Sequence, residues 1–238
     1  MIANSLMFYG KHFDRLLVIS FIILLPLLLL QTIIVNYIYS ISTFNGITLY
    51  GDLANAVFTL LIVVMAQGPF IKYVLLEENG EERKLKRSLV FFADQAFTFF
   101  LFGTLLTWMV VVGSLFLLIP GIILLVFYYL TPYFIASEEW KIGRAMKKSA
   151  NLAKKKFFSL LGILLLIGLL DWGLGVITIY LSSLFIDIYF GVLIAKLIVS
   201  VAIYPFGIIL LTLNFLKWKE EWKEEGGLGD VDIRAVYT

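Results

Sequence analysis

The 238-residue chain contains no cysteine and only one histidine, His12. Without cysteine, the chain can form no disulfide bond, thiolate metal site or cysteine nucleophile. A chain with one histidine and no thiol also lacks the usual ligands of a zinc or haem centre. We therefore predict no metal and no cofactor. The sequence also lacks the cluster of histidines or carboxylates at one membrane depth that a lipid enzyme would need, so we predict no enzymatic activity.

Charged residues are scarce as well: they make up 15% of the chain, whereas 61% of its residues are hydrophobic. Ordinary soluble domains contain about 25% charged and roughly 45–50% apolar residues. A water-soluble domain of this length could not bury so much apolar surface, so the excess must face lipid. The composition therefore predicts a polytopic membrane protein.

Six apolar runs are long enough to cross a hydrocarbon core of about 30 Å, which takes around 20 helical residues. The runs are continuous rather than alternating, so they predict an all-α protein instead of a closed barrel. The first run is too long for a cleaved signal peptide and is predicted to be a span. Pro120 and Gly121 are predicted to form a tight turn between the third and fourth spans. The predicted spans are 16–39, 53–76, 96–118, 120–136, 157–181 and 188–216.

Lysine and arginine fall on one side of this predicted topology. All but one of the 19 basic residues lie before the first span, between spans two and three, between spans four and five, or after span six, with Lys72 at the end of span two counted with the connection that follows it. The connections near 40–52, 118–120 and 182–187 contain none. Because basic loops stay in the cytoplasm, both termini are predicted to be cytoplasmic. We expect one six-helix domain over residues 1–225 and a polar cytoplasmic tail over 226–238.

The most basic connection runs from Glu138 to Phe158. Its apolar residues recur at helical spacing, at 142, 146, 150, 153 and 157, opposite a polar stripe. This pattern predicts an amphipathic helix that lies in the membrane interface. Its cations could bind anionic lipid headgroups, at about 1 kcal/mol for each residue near the surface; retention of the loop in the cytoplasm explains the same charge. The candidate headgroup ligands are Arg144, Lys147, Lys148, Lys154, Lys155 and Lys156.

Part of this connection repeats an earlier stretch of the chain. The same pattern occurs twice with an offset of 61 and ends at Ser88 and at Ser149. It consists of two glutamates, four residues, an arginine, two residues, two basic residues and the serine. A related segment follows Ser5. We interpret the chain as three units of an interfacial helix and a two-span hairpin, at about 1–76, 83–136 and 144–216. The alternative is that basic, serine-containing loops resemble one another because they share a composition. Each even-numbered span also contains a proline, at Pro69, Pro132 and Pro205.

Residues 119–166 combine several of these features in one order. A Pro120-Gly121 pair precedes a span that ends near Pro132; an acidic residue at Glu138 or Glu139 and a basic helix with Ala145 and Ser149 follow, and then another span. This pattern resembles the membrane domain of glycerophosphodiester phosphodiesterases and the related YciC-like bacterial membrane proteins. The resemblance implies a multi-pass fold and a bacterial membrane location. It does not imply phosphodiesterase activity, because the catalytic histidine and the metal-binding carboxylates of that family belong to a soluble domain outside the matching stretch.

Two charged residues fall well inside predicted spans, away from their ends: Asp171 in the fifth and Lys196 in the sixth. Counting about 1.5 Å per residue from Phe157 and from Ile188 gives both side chains a similar depth. Charges inside a membrane are costly and indicate function by default, so one interpretation is an ion-coupling site with a polar cavity that includes Gln67. The other interpretation is a structural ion pair that joins the last two spans, or a lysine that snorkels outward.

Two further features are interpreted as structural. His12 beside Asp14 could suggest general-base chemistry, but an isolated interfacial histidine is expected to be incidental. The glycines of the fifth span are expected to allow close contact with a neighbouring helix; these are Gly162, Gly168, Gly173 and Gly175.

The leading functional prediction is a non-enzymatic integral protein of the bacterial cytoplasmic membrane. Its predicted role is accessory or structural, with contacts to anionic lipid, to a membrane protein partner or to a second copy of itself, and no contact with nucleic acid. The alternative is a permease or transporter subunit with its polar site at Asp171 and Lys196.

Overall fold

The computed structural model describes residues 2–137, 141–185 and 189–225. All regular secondary structure in these ranges is helical. Glu138 and Glu139, which begin the predicted basic helix, and the predicted tail 226–238 lie outside the described residues. A π-helical turn over Ser20–Leu24 joins the second and third helices. The helices are α1 (Ile2–Lys11), α2 (Phe13–Ile19), α3 (Leu25–Phe44), α4 (Leu49–Glu78), α5 (Lys84–Phe116), α6 (Leu118–Tyr128), α7 (Thr131–Ser137), α8 (Ile142–Ser183) and α9 (Tyr189–Glu224).

Within the described ranges, six helical stretches are long and apolar enough to cross a membrane, which confirms the predicted number and helical character of the spans. Most of them extend beyond the predicted limits because the helix continues past the apolar run. For example, α5 begins at Lys84 rather than near residue 96. The six stretches are Phe13–Phe44, Leu49–Glu78, Lys84–Leu115, Leu118–Ser137, Ile142–Ser183 and Gly191–Glu224.

The break between the third and fourth spans lies at Leu117, so the turn predicted at Pro120-Gly121 is wrong. Leu117 has extended backbone angles (φ −169°, ψ 149°), whereas Pro120 and Gly121 belong to the first turn of α6. Proline is tolerated there because the first N–H groups of a helix have no intrahelical partner. Gly121 lets α6 lie directly on α5: a Cβ atom at this position would overlap Ser114 Oγ and come within 2.9 Å of the Val110 carbonyl oxygen.

The core lies where the even-numbered spans continue past their prolines. Every residue from Leu130 to Ala136 is buried, as is every residue from Ala66 to Leu76 except Lys72. Burial all around a helix means that other helices surround it on every side. The segment of α9 that follows Pro205 contacts the segment from Leu130 to Ala136 through Phe215. The ring centroid of Phe215 is 5.5 Å from that of Tyr133 and 5.0 Å from that of Phe134.

Three peripheral helices each present a serine to this core: Ser5 of α1, Ser88 of α5 and Ser149 of α8 are all 0% exposed. Two of these segments also bend at the same place, seven residues after the serine. The bend at His12 has φ −114° and ψ 14°, and the bend at Lys156 has φ −115° and ψ 23°. In contrast, α5 runs as one helix through the equivalent position.

The first part of α8 packs on protein, which corrects the prediction of a helix whose apolar stripe faces the membrane. Ser149 Oγ donates a hydrogen bond to the Phe127 carbonyl oxygen at 2.7 Å, and the rings of Phe127 and Phe157 are 5.9 Å apart. Small side chains form the buried face because they let neighbouring helices come close, and Ile142, Met146 and Phe157 of the predicted stripe lie at its edge. The fully buried residues are Ala145, Ser149, Leu152 and Ala153.

The segments that hold lysine and arginine meet at one end of the bundle, which we call the basic end. Side-chain contacts join the N-terminal helices to α4, α4 to α7, α7 to α9, and α8 to α9. These contacts are His12 with Tyr73, Lys72 with the Ala136 carbonyl oxygen, Lys219 with Ser137, and Lys156 with Glu221.

Candidate functional site

Asp171 and Lys196 lie on neighbouring helices but at different levels. A Cβ atom on Gly207 of α9 would be 3.0 Å from Cγ2 of Ile167 on α8, so these two residues are opposite each other. In an antiparallel pair with this register, Asp171 lies opposite about residue 203, and Lys196 lies about 10 Å further along α9. Both side chains are exposed, and among the described residues no ion pair joins them.

The predicted equality of depth fails because it assumed a span of about 30 Å for the fifth helix. From Phe157 to Ser183, α8 is helical throughout, and this stretch is about 39 Å long at about 1.5 Å per residue. The outer end of the α8–α9 pair, from which the depth of Lys196 was counted, therefore lies further from Asp171 than a span of about 30 Å would place it. The structural clip between Asp171 and Lys196 is not formed, and a role of these residues in transport stays a prediction.

One group of polar side chains inside the spans consists of Gln67, Tyr129 and Tyr204. Gln67 is 0% exposed, and its Nε2 donates a hydrogen bond to the Tyr129 hydroxyl at 2.9 Å. Tyr204 donates to the carbonyl oxygen of Val63, one turn before Gln67 on α4. Each of the three lies at most three residues before the proline of its span. This polar centre was missed in part: Gln67 was a candidate, but no sequence pattern pointed to the tyrosines.

Three of the six candidate headgroup ligands have interaction partners. Lys155 forms an ion pair with Glu225 at 2.6 Å, and Lys156 forms one with Glu221 at 2.7 Å, near the end of α9. Lys148 is half-buried and has an interaction partner of its own. The other three are exposed and form no ion pair with any described residue: Arg144, Lys147 and Lys154.

These three exposed cations lie on one face of α8. At 100° per residue, Lys147 and Lys154 are within about 80° of Arg144 around the helix axis. The opposite face carries Ser149 and packs against α6 and α7, which fixes the direction in which the cations point. We call Arg144, Lys147 and Lys154 the α8 cationic face.

His12 is the centre of a hydrogen-bonded network, a role that the sequence pattern did not indicate. It is 6% exposed, and its Nδ1 lies 3.1 Å from the Tyr73 hydroxyl. Its Nε2 is 3.7 Å from one oxygen of Glu77, whose other oxygen is 2.6 Å from Lys84 Nζ. Burial lowers the pKa of His12, and the nearby Glu77 carboxylate only partly opposes this shift. The imidazole is therefore neutral near pH 7. Its neighbour in sequence, Asp14, is not its partner, because both residues that contact the imidazole, Tyr73 and Glu77, belong to α4.

Arg15 links this network to the surface. Its Nη1 donates to the Tyr73 hydroxyl at 3.4 Å. On its other side Arg15 borders an open groove of about 720 Å³, whose opposite wall is the turn from Gly80 to Lys86. We call this the Arg15 groove. Within the turn, Arg83 has left-handed backbone angles (φ 53°, ψ 36°), which are uncommon for a residue other than glycine.

In the described part of the chain, no group of three or more His, Asp or Glu side chains is placed to hold a metal ion. Comparisons with known proteins do not add a family: no family model, curated protein or solved structure matches this chain.

Proposed function

We propose that the chain is a non-enzymatic integral protein of the bacterial cytoplasmic membrane whose basic end binds anionic lipid headgroups. The α8 cationic face carries this proposal. Its three cations point away from the protein and have no partner among the described residues, whereas Lys155 and Lys156 are neutralised by Glu225 and Glu221. Cations left unpaired beside apolar spans are suited to the phosphate groups of lipid.

The proposal places both termini in the cytoplasm. The positive-inside rule supports this orientation, since the basic segments that it assigns to one side also meet at one end of the bundle. The proposal also includes three units of an interfacial helix and a hairpin. Their support is the equal burial of Ser5, Ser88 and Ser149 and the matching bends at His12 and Lys156.

The expected strength of lipid binding follows from the charge. Each basic residue near an anionic surface contributes about 1 kcal/mol, so the α8 cationic face contributes about 3 kcal/mol. This corresponds to a preference of roughly a hundredfold for anionic over zwitterionic lipid. Because the cations are exposed, salt should weaken the preference.

Native mass spectrometry of the full chain tests the proposal. The protein is extracted in mild detergent from bilayers of phosphatidylglycerol and phosphatidylcholine, and the retained lipid is measured. The triple variant Arg144→Gln, Lys147→Gln, Lys154→Gln should lose most of its retained phosphatidylglycerol. The matched control removes three ion-paired cations from the same end: Lys155→Gln, Lys156→Gln, Lys217→Gln. It should keep the lipid although its net charge changes equally. Equal retention in both variants, or equal loss from both, contradicts the proposal.

A permease or transporter subunit is the second candidate. The buried polar centre of Gln67, Tyr129 and Tyr204 favours it, because a hydrogen-bonding amide within apolar spans is costly unless it serves packing or function. Under this proposal, Gln67→Leu and Asp171→Asn should each give folded protein that fails to correct the uptake or export defect of the deletion strain. Full complementation by both variants rejects it.

A further inference from the structure

We propose that the Arg15 groove is a binding site for the phosphate group of an anionic phospholipid headgroup. The groove is distinct from the α8 cationic face, so either surface can bind lipid without the other. The inference deepens the proposed function by naming a defined site and the group that it takes.

Arg15 is held in place from behind. The Tyr73 hydroxyl, which accepts the hydrogen bond from Arg15, belongs to a side chain that is 0% exposed and is itself fixed by His12. An arginine positioned in this way loses less side-chain freedom when it binds a ligand. Its planar guanidinium retains N–H groups for a phosphate, which it can contact through two parallel hydrogen bonds.

The opposite wall is held in an unfavourable backbone conformation. Left-handed backbone angles are unfavourable for a residue other than glycine because the Cβ atom comes too close to the following carbonyl oxygen, and glycine or asparagine would adopt the angles of Arg83 more easily. The turn nevertheless places an arginine there, and its side chain is exposed at the groove. Strained positions of this kind often coincide with function. We infer that the charge of Arg83 is the reason for its presence.

The charges in the groove do not cancel. Ion pairs neutralise two of them, Glu81 with Arg87 and Lys84 with Glu77. Three cations remain, Arg15, Arg83 and Lys86, against the single carboxylate of Glu82, and none of these four forms an ion pair with a described residue. A phosphodiester, which has one negative charge, would reduce this imbalance.

Size and surroundings favour a lipid over free phosphate. The groove is open and its volume of about 720 Å³ exceeds what an inorganic ion fills. Apolar surface continues from both walls along the spans: Val18 and Ile22 follow Arg15, and Val90 and Phe97 follow Lys86, each between 40% and 69% exposed. Acyl chains attached to a phosphate in the groove can lie along these side chains.

Binding of short-chain phosphatidylglycerol to the full chain in neutral detergent tests the inference, with phosphatidylcholine of equal chain length as reference. The Arg83→Gly variant removes the charge and also relieves the backbone strain. It should bind phosphatidylglycerol about tenfold more weakly while its melting temperature stays equal or rises. Arg15→Gln should weaken binding to a similar extent. Lys217→Gln, which removes one exposed cation that is ion-paired with Glu221 at the same end, is the matched control and should leave this affinity unchanged.

Three results would overturn the inference. If Arg83→Gly and Arg15→Gln bind the lipid as tightly as the unmodified chain, the groove is not the site. If Lys217→Gln weakens binding as much as they do, the attraction is diffuse. If inorganic phosphate binds as tightly as phosphatidylglycerol and displaces it, the groove takes a free anion instead of a lipid. The triple variant of the α8 cationic face is measured separately, so the proposed function can stand when the groove fails.

Discussion

In the apolar part of α8 only 6% of the residues are buried, whereas 44% are buried in the apolar part of the fourth span, Leu118–Ser137. The fourth span ends in the core at the basic end, where the three runs that follow the prolines are enclosed by other helices. Phe158 of α8 is 84% exposed, and further along the helix Ile167 packs against Gly207 of α9. In a membrane, the free faces of α8 lie against lipid or another protein.

The glycines show the same difference between the two regions. The expectation that the glycines of the fifth span allow close helix contact is wrong, because a Cβ atom at any of them would meet nothing within 4 Å. At Gly68, by contrast, a Cβ atom would lie 2.7 Å from the Phe99 ring. A glycine in a span therefore permits close packing but does not predict where it occurs. The open glycines are Gly162, Gly168, Gly173 and Gly175.

The largest expected effect is a core truncation. Phe215→Ala removes a ring that packs on Tyr133 and Phe134 and should lower the free energy of unfolding by about 3–5 kcal/mol. Phe158→Ala, on the exposed part of α8, should change it by less than about 0.5 kcal/mol. Unfolding of both variants in mixed detergent and SDS micelles measures the difference. Equal losses would show that the two regions contribute alike to stability.

Gly121→Ala tests whether the far end of the bundle has a tight contact of its own. The added methyl group would strike Ser114 on α5, so we expect a loss of about 1–3 kcal/mol. Gly162→Ala adds the same methyl group where nothing is near, and it should be neutral or stabilising because alanine favours helix. Melting temperatures in one detergent compare the two. A loss at Gly162 equal to that at Gly121 would mean that α8 has a close neighbour after all.

The smallest effect concerns His12 and pH. Burial lowers the pKa of His12 below 6.5, so the unfolded chain binds a proton more readily than the folded one. The free energy of unfolding should therefore be highest above about pH 6.5. It should decrease as the pH falls from there through the lowered pKa of His12. His12→Gln should flatten this decrease, measured as the melting temperature between pH 7.5 and 5. If the melting temperature of His12→Gln decreases with pH as steeply as that of the unmodified chain, His12 is not the cause of the decrease. The charges that face the imidazole are those of Glu77, Lys11, Arg15 and Lys84.

Much of the architecture could be predicted from the sequence, whereas little of the candidate site could. Six helical spans follow from hydropathy and length, which are properties of local windows. The three residues of the α8 cationic face were among the six predicted headgroup ligands. The sequence could not separate them from Lys155 and Lys156, because the carboxylates that pair with these two lysines lie some seventy residues away in the chain. The Arg15 groove depends on Tyr73 and His12, which are also far apart in the chain.

The sequence by itself therefore determined the class of protein, the number of helical spans and the clustering of the basic residues in four segments. Composition and apolar run length decide these properties, because lipid solvates apolar side chains and requires every backbone group to be hydrogen-bonded within the helix. Only the tertiary structure decided that Asp171 and Lys196 lie about 10 Å apart in level, that Gln67 meets Tyr129, and that Arg15 faces the turn before α5. Register between distant helices follows from side-chain packing, which local windows of sequence do not record.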